Sequence, residues 1–336
     1  MTACSKGSLP LVSIITPAYN RGSYLDETIQ SVLNQDYPRM EYIVLDDGST
    51  DNTREVLAKY TGRIIREKHP NMGETRTVNK GFGMAKGEIV VVVNSDDPLL
   101  PGAVSEAVAF MQAHPDVLVA YPDWNHIGPD SKVITHMQVR EYDYLDMLKR
   151  YYCIPGPGAF IRRRALELTG GRDQAFRYVA DFEYWLRLGL YGRFARIPKT
   201  LATWRDHPDG ASLSHRGAAM AEEHVRLISK LYSGTDLPPE VQKARAEAFG
   251  SMHFVAAMAC GTDRREARKH LMASFRYNPL GFAVSFIRLA FALVMMLPEP
   301  IGRLLIRTWR AGRRGRQKAA RFLATAPGKK RRGVAG

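Results

Sequence analysis

Cysteine is scarce in this chain. Cys4, Cys153 and Cys260 are scattered over 336 positions, which excludes a disulfide framework and a CxxC metal or redox pair. No Cys/His cluster stands at zinc-ligand spacing. The opening residues MTACSKGSLP contain no apolar run of a secretory leader, so a cytoplasmic protein is expected. Phosphate loops of the GxxxxGK(S/T) kind are missing. Gly81–Phe82–Gly83 begins like a dinucleotide fingerprint, but it falls late in a helical pattern and lacks the third glycine, which argues against hydride transfer. No GxSxG elbow marks a hydrolase.

Acidic residues are absent from Arg303 to Arg332, where twelve Lys and Arg side chains stand. Removing those twelve from the formal net charge of +14 leaves about +2 for the rest. The body is near neutral and the tail is the basic object. Such a tail suits an anionic membrane surface or a nucleic acid. Just before it, residues 280–297 (LGFAVSFIRLAFALVMML) are nearly all apolar with Arg288 in the middle. Three readings are open: a core helix of a C-terminal bundle, an interfacial helix, or a span. A span usually needs about 20 apolar residues and tolerates a central arginine poorly.

What is present is strand–helix alternation. Strands are predicted at 11–16, 41–46, 63–67 and 88–93, the last an IVVVV run suited to burial on both faces. Helices are predicted at 24–35, from a cap at Asp51 or Asn52 to Tyr60, at 74–85 and at 103–114. This pattern predicts an α/β fold with a parallel, doubly wound sheet. Residues 117–160 suggest strands and loops, 162–169 and 181–190 helices, and everything from about 217 onward is helical.

In doubly wound sheets ligands sit beyond the carboxyl ends of the strands. Three polar clusters fall there: TPAYNRGS (16–23), DDGSTDNT (46–53) and NSDDP (94–98). Asp46, Asp47, Asp96 and Asp97 brought into one crevice repel one another. A hard divalent cation with oxygen ligands, Mg²⁺ or Mn²⁺, would relieve that repulsion. Capping of the following helices is the plain alternative.

VSIITPAYNRGSYLDETIQSVLNQDYPRMEYIVLDDGSTDNT (12–53), NMGETRTVNKGFGMAKGEIVVVVNSDDPLLPGAV (71–104) and GGRDQAFRYVADFEYWLRLGLYGRFARIPKTLATWRDHPDGAS (170–212) follow one another. Over roughly 10–215 they resemble the family 2 glycosyltransferases. The resemblance implies a GT-A fold, a Rossmann-like mostly parallel sheet flanked by helices, over 1–215. A helical C-terminal region (216–312) and a basic tail (313–336) are expected after it. It also implies inverting transfer of a sugar from a nucleoside-diphosphate-sugar donor to a saccharide or lipid-linked acceptor. Thr16, Pro17, Tyr19, Asp46 and Asp47 then line the nucleoside pocket, and Arg76, Asn79 and Lys80 lie near the donor. The family's Asp-x-Asp falls on Asn94–Ser95–Asp96, so Asp96 is the metal ligand, with Asp97 and His207 as further ligands of Mg²⁺ or Mn²⁺. The family's Glu-Asp pair reads Ala180–Asp181, leaving Asp181 as catalytic base. Arg205 is a candidate phosphate partner. Trp185 and Trp204 are expected to pack, whereas Tyr121, Asp123 and Trp124 are placed for sugar or acceptor contact.

The expected setting is surface-polysaccharide or glycolipid synthesis, peripheral at the inner face of the plasma membrane, with no nucleic acid partner. Ala180 and Asn94 also admit a non-catalytic sugar-nucleotide-binding member, and the basic tail admits nucleic-acid binding.

Overall fold

The computed structural model describes residues 9–207, 210, 217–260, 263–297 and 300–301. The chain forms two compact units, Met1–Val284 and Ser285–Gly336. One eight-stranded sheet organises the first unit. Its strands are β1 (Val12–Ala18), β2 (Met40–Asp46), β3 (Ile65–Lys68), β4 (Ile89–Val92), β5 (Val117–Ile127), β6 (Val133–Met137), β7 (Phe160–Arg162) and β8 (Arg193–Arg205). The helices among them are α1 (Gly22–Leu33), α2 (Thr53–Ala58), α3 (Glu74–Met84), α4 (Ala103–Ala113), α5 (Tyr144–Arg150), α6 (Arg163–Thr169) and α7 (Ala180–Leu188). The spatial order is β3–β2–β1–β4–β7–β5–β6, with β8 beside β5.

Strands β1 to β4 are mutually parallel, Val12 standing opposite both Met40 and Ile89. Every residue of β1 is buried, as helices on both faces of the sheet require. Its one inward serine is satisfied: Ser13 Oγ donates to Glu41 Oε1 at 2.5 Å and accepts from Gly87 N at 2.7 Å. Gly81 explains the false fingerprint. A Cβ there would stand 2.4 Å from Ile15 Cγ2, so the glycine lets α3 lie directly on β1. After β4 the sheet turns antiparallel through β7, with Val90 opposite Ile161. The stretch 117–160 holds β5, β6 and most of the way to β7, but also α5, which the sequence pattern does not reveal. Its seven residues are too short to display a helical period; Asp143 starts it by accepting from Asp146 N at 2.8 Å.

From residue 217 the described elements are all helical: α8 (Gly217–Leu231), α9 (Pro239–Lys243), α10 (Arg245–Ala259), α11 (Arg264–Tyr277) and α12 (Pro279–Ala283). Helix α10 packs on α8, α11 and α5, and Ser251 Oγ donates to Lys149 O at 2.5 Å. These helices belong to the first unit. The second unit contains α13 (Phe286–Met296), started by Ser285 Oγ, which accepts from Arg288 N. Phe286, Ile287 and Leu293 are exposed on it. Among the described residues no helix is long and apolar enough to cross a membrane. The basic tail 313–336 and residues 302–312 lie outside the described residues.

Candidate active site

The three polar clusters meet at the carboxyl ends of β1, β2 and β4. Asp47 N donates to Ala18 O at 2.8 Å. Asn20, at φ 52°, turns the chain after β1 so that its Oδ1 accepts from Thr50 N at 2.8 Å and its own N donates to Ser49 Oγ at 3.0 Å. Asp51 then ties the start of α1 to that of α2, accepting from Gly22 N and Thr53 N, each at 3.0 Å.

Both carboxylates of the first pair are buried and answered by backbone. Asp46 accepts from Ser49 N at 2.8 Å. Asp47 accepts from Met72 N at 2.7 Å and Gly73 N at 3.0 Å, fixing the entry to α3. His69 Nδ1 lies 3.4 Å from Asp47. Charge repulsion within this pair is therefore offset by protein donors.

The second pair divides its work. Asp97 is inward: its Oδ1 accepts from Arg205 N at 2.7 Å and its Oδ2 from Asn94 Nδ2 at 2.9 Å. Burial pushes this carboxyl up to about 7, and the neighbouring Asp96 charge adds to the rise. Asp96 faces the crevice. Its Oδ2 meets Arg21 Nε at 3.0 Å and His207 Nε2 at 2.9 Å. Burial would raise the Asp96 carboxyl, but the His207 hydrogen bond and the Arg21 guanidinium outweigh it and hold it low. Neither aspartate caps α4, whose first residue follows Gly102.

Arg205 is not directed to a ligand. Its side chain is wholly buried and donates to Asp96 O at 2.8 Å, Gly128 O at 3.1 Å, Ser131 Oγ at 2.9 Å and Glu27 Oε2 at 2.7 Å. The guanidinium also lies 4.8 Å from the centre of the Tyr24 ring. It joins α1, the β5–β6 turn and the Asp96 loop. Arg21, by contrast, reaches the crevice, and sequence reasoning passed over it; its signal is the NRG turn directly after β1.

Beside Asn94 a cavity of about 340 Å³ opens, lined by Asn94, Trp124, Trp204, Trp185, Arg172 and Asp181 among others. Asp181 is exposed there in the first turn of α7, accepting only from its neighbour Phe182 N at 2.7 Å. Asn94 directs its Nδ2 to Asp97, which leaves its amide oxygen for the cavity. The loop Cys153–Ala159 forms another wall; Gly158, at φ 72°, is pressed so close to β8 that a Cβ would stand 2.7 Å from Ala202 Cβ.

The other candidates are dispersed. Thr16 is fully buried with its hydroxyl 3.0 Å from Tyr42 Oη, and Pro17 is buried in β1. Tyr19 is exposed at the rim. Ser95 is buried, its carbonyl accepting from Thr28 Oγ1 at 3.1 Å. Arg76 is on the solvent side of α3, and Lys80 pairs with Glu67. Asn79 braces the chain before α7, exchanging two hydrogen bonds with the Arg172 backbone at 2.7 and 2.8 Å. Tyr121 and Asp123 turn inward, the former donating to Arg140 O and the latter held by Arg196 at 2.8 Å. Of that predicted trio Trp124 alone lines the cavity, and it is joined by Trp185 and Trp204, for which packing alone was expected.

Among the described residues no three His, Cys, Asp or Glu side chains cluster as a metal cage. A protein-enclosed ion is a poor fit. An ion completed by substrate phosphates needs only one or two protein ligands, and Asp96 with His207 suits that. Among the described residues buried His207 Nδ1 has no hydrogen-bond partner, while Nε2 is fixed on Asp96.

A doubly wound sheet with an acidic crevice at its carboxyl edge and a helical extension defines the GT-A class of fold. The glycosyl transferase family 2 profile matches residues 13–170. A hyaluronan synthase of Pasteurella multocida is 29% identical over 229 residues, 66% of this chain and 23% of the synthase. The chain thus spans about a quarter of that relative's length. S. aureus TarS 1–349, solved with UDP-GlcNAc, superposes with a TM-score of 0.65 at 19% identity, covering 90% of this chain and 92% of TarS 1–349. The mannosyltransferase PcManGT of Pyrobaculum calidifontis, solved with GDP-Man and Mn²⁺, gives 0.57 at 21% identity over 94% of this chain and 87% of its own. Through residues 13–170, just under half of its length, the chain is similar to glycosyl transferase family 2.

Proposed function

We propose that the protein transfers a sugar from a nucleoside-diphosphate-sugar donor to an acceptor hydroxyl with inversion, in the synthesis of a surface polysaccharide or glycolipid. The observation that carries this reading is the exposure of Asp181 in the same cavity as Asn94, two residues before the Asp96 that pairs with His207. Asp181 takes the proton from the acceptor hydroxyl as its oxygen attacks C1 of the sugar. The C1–O bond to the diphosphate breaks on the opposite face, and the nucleoside diphosphate leaves. Asp46 and Asp47 border the nucleoside, with the backbone of Thr16–Tyr19 as one wall. Asp96 and His207 would hold Mg²⁺ or Mn²⁺, which when bound supplies positive charge to the departing diphosphate. Asp97 and Ser95 keep the Asp96 loop in place, and Asn94 offers a neutral oxygen toward the sugar. Trp124 and Trp204 give the cavity apolar faces on which a saccharide ring stacks. Relatives that handle hyaluronan, UDP-GlcNAc and GDP-Man support a nucleotide-sugar donor.

A thermal-shift series with UDP-, GDP- and dTDP-sugars plus Mn²⁺ tests this. At a hundred times Kd a ligand adds about 2.7 kcal/mol, so one donor class should raise Tm by roughly 5 °C or more. ATP and NAD⁺ should leave Tm unchanged, and chelation should reduce the donor's effect. A flat response to every sugar nucleotide would falsify the donor assignment.

We further propose that the protein works at the inner face of the plasma membrane. Phe286, Ile287 and Leu293 on α13 are 83%, 69% and 68% exposed, and the basic stretch follows in the sequence. Apolar insertion and attraction to anionic lipid together give stable anchoring where either alone is marginal. Truncation after Leu297, or serine at all three apolar positions, should each release the protein from phosphatidylglycerol vesicles in a sedimentation assay. Retention of both variants on the vesicles would overturn the role given to α13 and the basic stretch, and failure of the unaltered protein to sediment with them would remove the membrane from the account.

A further inference from the structure

Helix α7 carries Asp181 in its first turn but starts without a capping side chain of its own. Val179 occupies the N-cap and makes no side-chain bond to the helix. The residue before Asp181 is Ala180, so no local carboxylate stands there either. A helix beginning this way leaves backbone N–H groups in want of acceptors. A carboxylate from 44 to 46 residues downstream instead holds the segment that leads into the helix. Glu223, on α8, is buried, and its carboxylate accepts from Arg177 N at 2.9 Å, Tyr178 N at 2.7 Å and Val179 N at 3.3 Å. Three successive amides around one carboxylate form an anion nest, placed at the positive end of α7. Arg226 lies 3.6 Å from the same carboxylate.

The next residue of α8 holds the opposite wall of the cavity. His224 Nδ1 lies 3.0 Å from Tyr151 Oη. Tyr151, at φ 54°, opens the loop that continues through Cys153 and Pro155 into the cavity lining. Farther along, Lys230 reaches Glu183 of α7 at 2.9 Å. Two adjacent side chains of one helix therefore fasten the segment bearing Asp181 and the loop facing it.

We infer that Glu223 is a positioning residue for the transfer reaction, and that α8 is part of the catalytic apparatus rather than an appendage. The inference rests on Asp181 as base. With Glu223 in place, the first turn of α7 is anchored and the Asp181 carboxylate presents one orientation to the acceptor. Without it, the 177–179 amides lose their acceptor and the turn loosens. A displacement of about 1 Å at a reacting group can cost on the order of 10²-fold in rate, with little change in donor binding, because the donor contacts lie on β1, β2 and β4.

The test uses the full chain with Glu223→Gln, which keeps the volume and one acceptor oxygen, and Glu223→Ala. Turnover is followed as UDP release from UDP-N-acetylglucosamine and GDP release from GDP-mannose, with Mn²⁺ and water as acceptor. The expected result is a fall in kcat of at least about tenfold, with donor KM within about twofold. In an Asp181→Asn background the same substitution should cost less than about twofold more, since a base that is gone cannot be misplaced. A purely structural role would instead lower both backgrounds equally. Hydrogen exchange reads the proposal independently of any donor: amides of 177–182 should exchange at least about tenfold faster in Glu223→Gln, with β1 and β4 unchanged. Unchanged exchange at 177–182, or unchanged kcat in a folded variant, overturns the role of Glu223. Full activity of Asp181→Asn overturns the base assignment instead, so the two failures are told apart.

Discussion

Asp181→Asn is expected to lower kcat for sugar transfer by about 10²–10⁴-fold, the usual worth of a general base, with donor affinity nearly unchanged. The asymmetry follows from position. Asp181 is on α7, at the cavity, whereas the carboxylates proposed to border the donor follow β2 and β4. Asparagine preserves the size of the side chain and its bond from Phe182 N, so α7 should keep its start. Nucleoside diphosphate release measures turnover, and the donor-induced Tm shift measures binding. A loss of both together would mean that the substitution has disturbed the fold; activity near that of the unaltered protein would mean that another group takes the proton.

Arg205→Leu is expected to destabilise the protein by about 3–5 kcal/mol, the cost of removing one member of a buried charge network, and to lower Tm by roughly 10 °C. Four acceptors lose the guanidinium at once, Asp96 O, Gly128 O, Ser131 Oγ and Glu27 Oε2, although Gly128 O and Glu27 Oε2 keep bonds from Ser131. Lysine should not rescue, because one ammonium cannot reach acceptors on three elements as a planar guanidinium does. The measurement also decides between two roles. An arginine that binds phosphate would, on replacement, leave Tm in place and raise donor KM. Arg205→Leu should instead lower Tm first, and lose metal-dependent donor binding as the Asp96 loop relaxes.

Much of the parallel half was legible because its signals are local. IVVVV announces a strand covered on both faces, and β4 is so placed. The polar runs after β1, β2 and β4 were assigned to one crevice by a topological rule; Asn20, Asp47 and Asp51 join the first two, and Arg21 and Thr28 tie in the third through Asp96 and Ser95. What the pattern did not disclose was which way each side chain points. Asp96 and Asp97 are adjacent and alike in type, yet they lie in the turn after β4, where Asp97 N donates to Asn94 O and no strand alternation sets the side-chain directions. One meets the crevice and the other braces β8. The same ambiguity hid the inward turn of Thr16, Tyr121 and Asp123 and the place of Trp204 at the cavity, whereas Trp185 packs against Tyr184 and Phe194 as expected. Charge balance also escaped the sequence. Four neighbouring carboxylates suggested a cation as the necessary remedy, but backbone amides, Arg21 and His207 supply most of it, and backbone donors carry no sequence signature.

By itself the sequence determined the class: the alternation of strands and helices, the acidic crevice, the lone Asp181 and the basic C-terminal run all lie in local pattern and composition. Only the tertiary structure decided which of those residues work together. Arg205 becomes a brace because β8 returns beside β5 and buries it among acceptors from three elements. Glu223 becomes the anchor of the segment entering α7 because α8 brings it against the amides of 177–179. Such pairings depend on contacts between residues far apart in the chain, and neither periodicity nor spacing encodes them.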